Sequence, residues 1–276
     1  RFGSPAQQAR WLPSLLAGTA LGTAALSEPG AAPREPATLA TPVGDGFRLT
    51  GTKTGVPYAA QAAVLLIPAR TPSGDVALFL VDPQARGVLL EPQQSMAWEP
   101  QARVVLTNAT VDADQAVGGL AAGRQVLDWL VDRVTTGLCA IATGVSHGAL
   151  RLTAEYASNR KQFDKPIAMF QAVGQRMADA FIDNEAVGLT MWQAATRLAD
   201  EMHSDAHVAT AKYWAAEVGS RTGHTGLHIH GGISIDVDYP IHRFFLWAKQ
   251  VEYTLGAATP QLVRLGEILA AEQSTS

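Results

Sequence analysis

This chain has a single cysteine among its 276 residues, Cys139. It can therefore form neither an internal disulfide framework nor a cysteine metal site, and a reducing, cytoplasmic setting is the expectation that follows. Charge is also scarce. Lys, Arg, Asp and Glu make up 17% of the residues, the formal net charge is −4 and the pI is about 6.0. That balance lacks the basic footprint of a nucleic-acid partner. Long apolar runs are missing as well. The longest uncharged stretches, residues 11–27, 54–69 and 134–150, are broken by Gly, Pro, Ser, Thr or His, and each is short for a bilayer span. No membrane association is expected. The opening residues, Arg1-Phe2-Gly3-Ser4-Pro5, lack the apolar stretch of a secretory leader.

What is present is apolar: 47% of residues are hydrophobic, ample for one large or two modest domains. Residues 10–18 read as a short helix, with Leu12, Leu15 and Leu16 at helical spacing and Pro13 expected near its first turn. From Phe47 the period becomes strand-like. Residues 47–50 alternate and are expected to end at Gly51, and 63–67, 76–81 and 104–106 are short apolar runs. Asp45-Gly46, Thr71-Pro72-Ser73-Gly74 and Pro83-Gln84 carry turn chemistry between them. This pattern predicts a small antiparallel β-domain, a barrel or sandwich, over residues 1–115.

From about Gly118 the pattern turns helical: 124–158, 171–200, 204–228 with Ser204-Asp205 as N-cap, 239–250 and 261–272. Long helices with short connections predict an antiparallel four-helix bundle over 116–276, and the chain as a whole is α+β. The polar tail, 272–276, is expected to fray.

Between the first two long helices runs Asn159-Arg160-Lys161-Gln162-Phe163-Asp164-Lys165-Pro166-Ile167, followed by Phe170-Gln171-Ala172-Val173. Read on its own this stretch has two interpretations. It is a solvated helix–helix turn, or it is a grip for a pyrophosphate, whose oxygens suit an arginine fork. Further along lie His228-Ile229-His230-Gly231-Gly232 and Tyr239-Pro240-Ile241-His242-Arg243. Earlier in the chain are Ala25-Leu26-Ser27-Glu28-Pro29-Gly30 and Gly51-Thr52-Lys53. The histidines do not form a metal pattern, since His224 and His228 alone share helical i,i+4 spacing and no carboxylate or cysteine set joins His230 and His242. Trp192, Trp214 and Trp247 are spread over helices and fit core or interface packing.

In this order and spacing the chain resembles the acyl-CoA dehydrogenase family, covering its middle β-domain and C-terminal four-helix bundle. The family's N-terminal helical domain has no counterpart among these residues. The resemblance implies FAD-dependent α,β-dehydrogenation of an acyl-CoA thioester, in which a carboxylate takes the α-proton and the flavin takes the β-hydride. It implies that the flavin ring lies between the β-domain and bundle of one subunit, with the ADP half reaching a neighbouring subunit. On that pattern Arg160 matches the pyrophosphate arginine. Gln162, Phe163, Phe170 and Gln171 match positions flanking the ADP portion. Gly231 and Gly232 match the close-approach glycine pair, and His228 stands where glutamine is usual.

The half that would seat this chain's own flavin departs from the pattern. Gly55, Val56, Pro57 and Tyr58 stand where the family has Trp, an aliphatic residue, Thr and Asn. Ala32-Pro33-Arg34 stands where Gly-Ser-Asp is usual, which leaves Ser27 and nearby backbone as flavin contacts. Leu255 occupies the family's catalytic glutamate position, and Val134 falls at the position a minority of members use. Neither side chain can take a proton. Asp132, which matches a family Asp with a binding role, and Glu252, three residues from the expected place, are the remaining candidates for a base. The resemblance thus implies a subunit of a hetero-oligomer, an α2β2 heterotetramer like those of the family's steroid-type bacterial members. Such a subunit shares FAD with a homologous partner that holds most of the acyl-CoA, and an electron-transfer acceptor reoxidises the flavin. Two alternatives stay open: a self-sufficient homotetramer using Asp132 or Glu252 as base, and a non-enzymatic structural subunit of such a complex.

Overall fold

Ser4 starts the first helix. Its hydroxyl accepts the Gln7 N–H at 3.2 Å while Gln7 Oε1 accepts the Ser4 N–H at 3.0 Å, a reciprocal cap on α1 (Pro5–Leu16). In the computed structural model, which describes residues 1–274, this cap moves the helix start ahead of residue 10. Pro13 consequently lies well inside the helix rather than in its first turn. It forgoes one donor, but its carbonyl still accepts the Ala17 N–H at 3.0 Å. Of the tail expected to fray, Thr275 and Ser276 lie outside the described residues.

Seven strands follow: β1 (Gly22–Ala24), β2 (Leu39–Val43), β3 (Gly46–Pro57), β4 (Val64–Arg70), β5 (Val76–Val81), β6 (Val88–Gln94) and β7 (Pro100–Asp112). They form one sheet in the order β1-β4-β2-β3-β7-β6, with β5 paired to β4. The sheet is mixed, because β4 runs parallel to β1 and β2 while the other pairs are antiparallel. Gly51 does not end its strand. It sits where the β3–β7 register shifts, between Leu49 and Gly51, and a Cβ there would lie 2.5 Å from Thr38 Oγ1. The glycine thus marks a bulge with close approach, the second common meaning of Gly in a strand. Leu49, Leu65, Ile67, Phe79, Val104 and Leu106 fill the core on one side of the sheet.

After β7 comes α2 (Gly123–Asn159). By compactness the chain divides at Val131/Asp132, inside this helix and later than the change of element type on which a 115/116 boundary rests. The first turns of α2 belong to the sheet unit, with Val126 and Leu127 buried there. Gly123 explains how they fit: a Cβ at this position would lie 1.8 Å from the Val76 carbonyl oxygen of β5. Gly123→Ala is expected to destabilise the protein by about 3 kcal/mol or more, because the obstacle is backbone that cannot rotate away. Gly137→Ala is the control. The same helix has open space at Gly137, so there alanine should stabilise by about 0.5–1 kcal/mol through helix propensity. Urea denaturation of both variants checks the contrast.

The second unit holds the rest of α2 with α3 (Gln171–Ala199), α4 (Asp205–His230), α5 (Ile241–Tyr253) and α6 (Ala258–Ser274). Ser204 is the N-cap residue of α4, without a side-chain cap bond. Cys139 and Ala142 of α2 share a core with Val187 and Met191 of α3, Val208, Ala211, Ala215 and Val218 of α4, and Val251 of α5. Burial pushes the Cys139 thiol up to about 12, which leaves it a packing residue. Trp214 and Trp247 pack against this core, while Trp192 is exposed. Along α4, Gly219, Gly223 and Gly226 face Ala248, Phe245 and Ile241 in turn, so α4 and α5 run antiparallel at close range. Among the described residues no helix is long and apolar enough to cross a membrane.

Candidate cofactor-binding surface

The stretch between α2 and α3 is a miniature hairpin rather than a plain turn. Lys161–Gln162 (β8) pairs with Lys165–Pro166 (β9), and Phe163 and Asp164 form the two-residue loop, at φ +53° and +63°. A two-residue hairpin of this kind needs positive φ at both central positions. Neither residue is glycine, so the loop stores backbone strain of about 1–3 kcal/mol per residue. Burial does not offset it, because Phe163 is 86% exposed. Its ring meets Phe170 edge-on at 6.2 Å, and Lys165 Nζ lies 4.4 Å from the Phe170 ring centroid. Backbone bonds brace the hairpin: Arg160 N–H donates to Tyr156 O at 2.8 Å, and Ile167 N–H donates to Arg160 O at 2.8 Å. The side chains of Arg160, Gln162 and Gln171 are exposed around it. A strained loop that displays cations and an aromatic ring suits a ligand clamp.

The second cluster lies at the end of α4. Gly231 caps the helix at φ +63°, its N–H donating to Leu227 O, and His228 is exposed on the last turn. A Cβ at Gly231 or Gly232 would meet nothing within 4 Å, so both backbones face open space. Three residues to which the sequence reading gave no site role join this cluster to the hairpin. Tyr156 stacks on His230 at 4.4 Å, and Tyr239 packs on His230 at 5.3 Å. The Tyr156 hydroxyl donates to the His230 carbonyl at 3.4 Å. Their signal in the sequence was position alone: Tyr156 stands one helical turn before Arg160, and His230 directly before the glycine pair. The histidine side chains otherwise turn to backbone, with Nδ1 of His224, His230 and His242 on the carbonyls of Ser220, Gly226 and Tyr239 at 2.7, 2.8 and 2.6 Å.

A family model for the acyl-CoA dehydrogenase C-terminal domain matches residues 121–269. Acyl-CoA dehydrogenase FadE27 of Mycobacterium tuberculosis is 44% identical across 98% of this chain and 72% of its own length. The chain belongs to the acyl-CoA dehydrogenase family. Among solved structures, the ChsE4–ChsE5 complex from Mycobacterium tuberculosis superposes with a TM-score of 0.91, at 44% identity over 98% of this chain and 72% of that one. A Tcur3481–Tcur3483 steroid ACAD variant gives 0.89, at 41% identity over 98% and 73%. Members of this oxidoreductase family bind FAD.

The hairpin and the glycine loop fit the ADP half of that cofactor. Arg160 offers a fork for a diphosphate, Phe163 and Phe170 offer ring faces, and Gly231 and Gly232 leave backbone open to close approach. The residues at the family's flavin seat do not fit the ring. Gly55 N–H donates to Gln93 Oε1 at 2.8 Å, Tyr58 N–H to Pro100 O at 2.8 Å and Thr54 N–H to Ser27 O at 3.0 Å. Pro57 has no N–H, and the N–H groups of Thr54, Gly55 and Tyr58 are committed within the chain.

The two positions at which the resemblance implies a base carry aliphatic side chains. Leu255 is 8% exposed and held at φ +58°, its carbonyl accepting from Gln261 Nε2 at 3.1 Å. Val134 is half-buried on α2. Of the candidate carboxylates, Asp132 is buried with Arg264 Nη2 3.7 Å from Oδ1, and Glu252 Oε2 lies 2.6 Å from Lys249 Nζ. Both are paired with cations, which ties each carboxylate down and reduces its use as a mobile base. Lys212, unremarkable in sequence, is fully buried on α4 and donates to the carbonyls of Val251 and Glu252 at 2.8 and 2.9 Å. Burial lowers its ammonium to about 8, and the lysine anchors the last turn of α5 just ahead of Leu255.

Proposed function

We propose that this chain is the non-catalytic subunit of a hetero-oligomeric, FAD-dependent acyl-CoA dehydrogenase, acting in α2β2 assembly with a homologous partner. The observation that carries the reading is Leu255, a buried aliphatic side chain where the family places its glutamate. The spent N–H donors of Thr54, Gly55 and Tyr58 point the same way. Bound FAD supplies the hydride acceptor for α,β-dehydrogenation of an acyl-CoA thioester. Arg160 neutralises diphosphate charge, Phe163 and Phe170 flank the nucleotide, and Gly231 and Gly232 admit it against the backbone. Base and acyl-CoA belong mainly to the partner, and an electron-transfer acceptor completes turnover. The name ChsE4–ChsE5 denotes a two-protein complex and the Tcur3481–Tcur3483 pair is described as a steroid ACAD, so a steroid side-chain CoA is the substrate class proposed here.

FAD content tests the reading. The chain purified alone should carry little flavin, and the complex with its homologous partner one FAD for each pair of chains. Stoichiometric FAD on the isolated chain, with acyl-CoA turnover in the presence of an electron acceptor, would instead favour a self-sufficient enzyme using Asp132 or Glu252.

A further inference from the structure

We infer that His230 is a positioning residue: its ring, packed between Tyr156 and Tyr239 and tied to Gly226, fixes the Arg160 hairpin and the Gly231–Gly232 loop in one arrangement. The inference rests on reading these two clusters as one ADP grip. Three helices converge on the spot. Gly226 lies so close to Thr153 of α2 and Ile241 of α5 that a Cβ would sit 3.3 and 3.1 Å from their side chains. His230 is one turn further along α4 and 3% exposed. Its ring contacts Tyr156, whose carbonyl receives the Arg160 N–H, and its own carbonyl, which receives the Tyr156 hydroxyl, precedes Gly231. Displacing this one ring would therefore release both halves of the grip.

The ring's chemistry makes the coupling sensitive to acid. A carbonyl cannot donate, so Nδ1, 2.8 Å from Gly226 O, must carry the proton. Nε2 is then a bare acceptor, buried and without a hydrogen-bond partner among the described residues. Protonating it would place an unpaired cation between two phenol rings. The titratable groups packed on it are Tyr156 from α2 and Tyr239 from the segment before α5, with the Glu155 carboxylate acting on Tyr239. None of these gives Nε2 an acceptor at hydrogen-bond distance. Burial holds the imidazole below its usual 6.5, against the opposing pull of the Gly226 carbonyl. With a folded-state pKa below the unfolded one, the stabilisation is fully present above 6.5 and is lost as pH falls through the lower folded value.

Amide hydrogen exchange of the full chain tests the inference without cofactor. In His230→Ala, the Arg160, Ile167 and Gly231 amides should exchange about tenfold faster or more, while amides in the middle of α3 keep their protection. In the wild type, exchange at those three amides, corrected for intrinsic rates, should accelerate as pH falls from 6.5 through the lower folded-state value. His230→Phe keeps a stacked ring but cannot titrate, so its profile should stay flat. Wild-type exchange at Arg160 and Ile167 in His230→Ala, or an unchanged acid response in His230→Phe, overturns the inference. Should His230→Ala fail to fold, the comparison of His230→Phe with wild type still decides. Arg160→Ala leaves these backbone bonds in place and reports on cofactor retention alone, so failure of the ADP reading and failure of the positioning role are separable.

Discussion

Replacing Glu28 with alanine is expected to destabilise the sheet unit by about 3–5 kcal/mol, a large share of the roughly 5–15 kcal/mol available to a domain. Glu28 and Lys53 form an ion pair whose side chains are 4% and 0% exposed. The carboxylate also accepts the Ala37 and Thr38 N–H groups at 2.8 and 3.0 Å and the Thr38 hydroxyl at 2.9 Å, and Lys53 donates to Pro68 O at 2.6 Å. Alanine would remove four hydrogen bonds and leave a buried ammonium with one carbonyl. Lys53→Met should cost less, because the carboxylate keeps its three other donors. Burial lowers the Lys53 pKa from 10.5 to about 8, with Glu28 pulling it back up. Between those two values the unfolded chain alone holds the proton, so Lys53 contributes a rise in stability as pH increases through that window. The deficit of Glu28→Ala should be smaller above about pH 8, where Lys53 is neutral in both folded proteins, than at pH 7. Chemical denaturation at pH 7 and pH 10 measures both effects. A loss at pH 7 below about 1 kcal/mol would mean the pair is no better than a surface contact.

This pair also shows where the sequence stops being informative. Ser27-Glu28-Pro29-Gly30 and Gly51-Thr52-Lys53 are recognisable as a motif pair, and their order carries the resemblance to the acyl-CoA dehydrogenase family. Nothing in the spacing says that Glu28 and Lys53 meet, since only the folded sheet brings β3 under the 27–38 segment. The helices are legible nearly to their ends because their apolar period is long and Pro, Gly or Asp interrupts it. The sheet is less legible: Gly51 reads as a stop, whereas in three dimensions it relieves contact with Thr38 at a bulge. For Leu255 and Pro57, residue identity alone carries the proposal that base and flavin contacts lie in a partner chain. The stack of Tyr156, His230 and Tyr239 depends on three helix ends converging, for which no local pattern exists.

Arg160→Ala is expected to weaken FAD retention by the assembled complex about 10- to 100-fold, while leaving the fold of this chain unchanged. A hydrogen bond to a charged partner contributes roughly 1.5–3 kcal/mol, and a bidentate arginine–phosphate contact lies at the upper end. The structural part of residue 160 is carried by its backbone, through the bonds to Tyr156 O and from Ile167 N–H, and alanine preserves both. Thermal unfolding of the isolated chain should therefore not move, and the loss should appear only in cofactor titration of the complex. Arg160→Lys keeps the charge but not the planar fork, so it should recover part of the affinity, and its deficit should grow with ionic strength as a screened point charge requires. Full FAD retention by Arg160→Ala would return the hairpin to a solvated helix connection. The left-handed strain at Phe163 and Asp164 would then lack a functional reason, because neither burial nor glycine substitution offsets it.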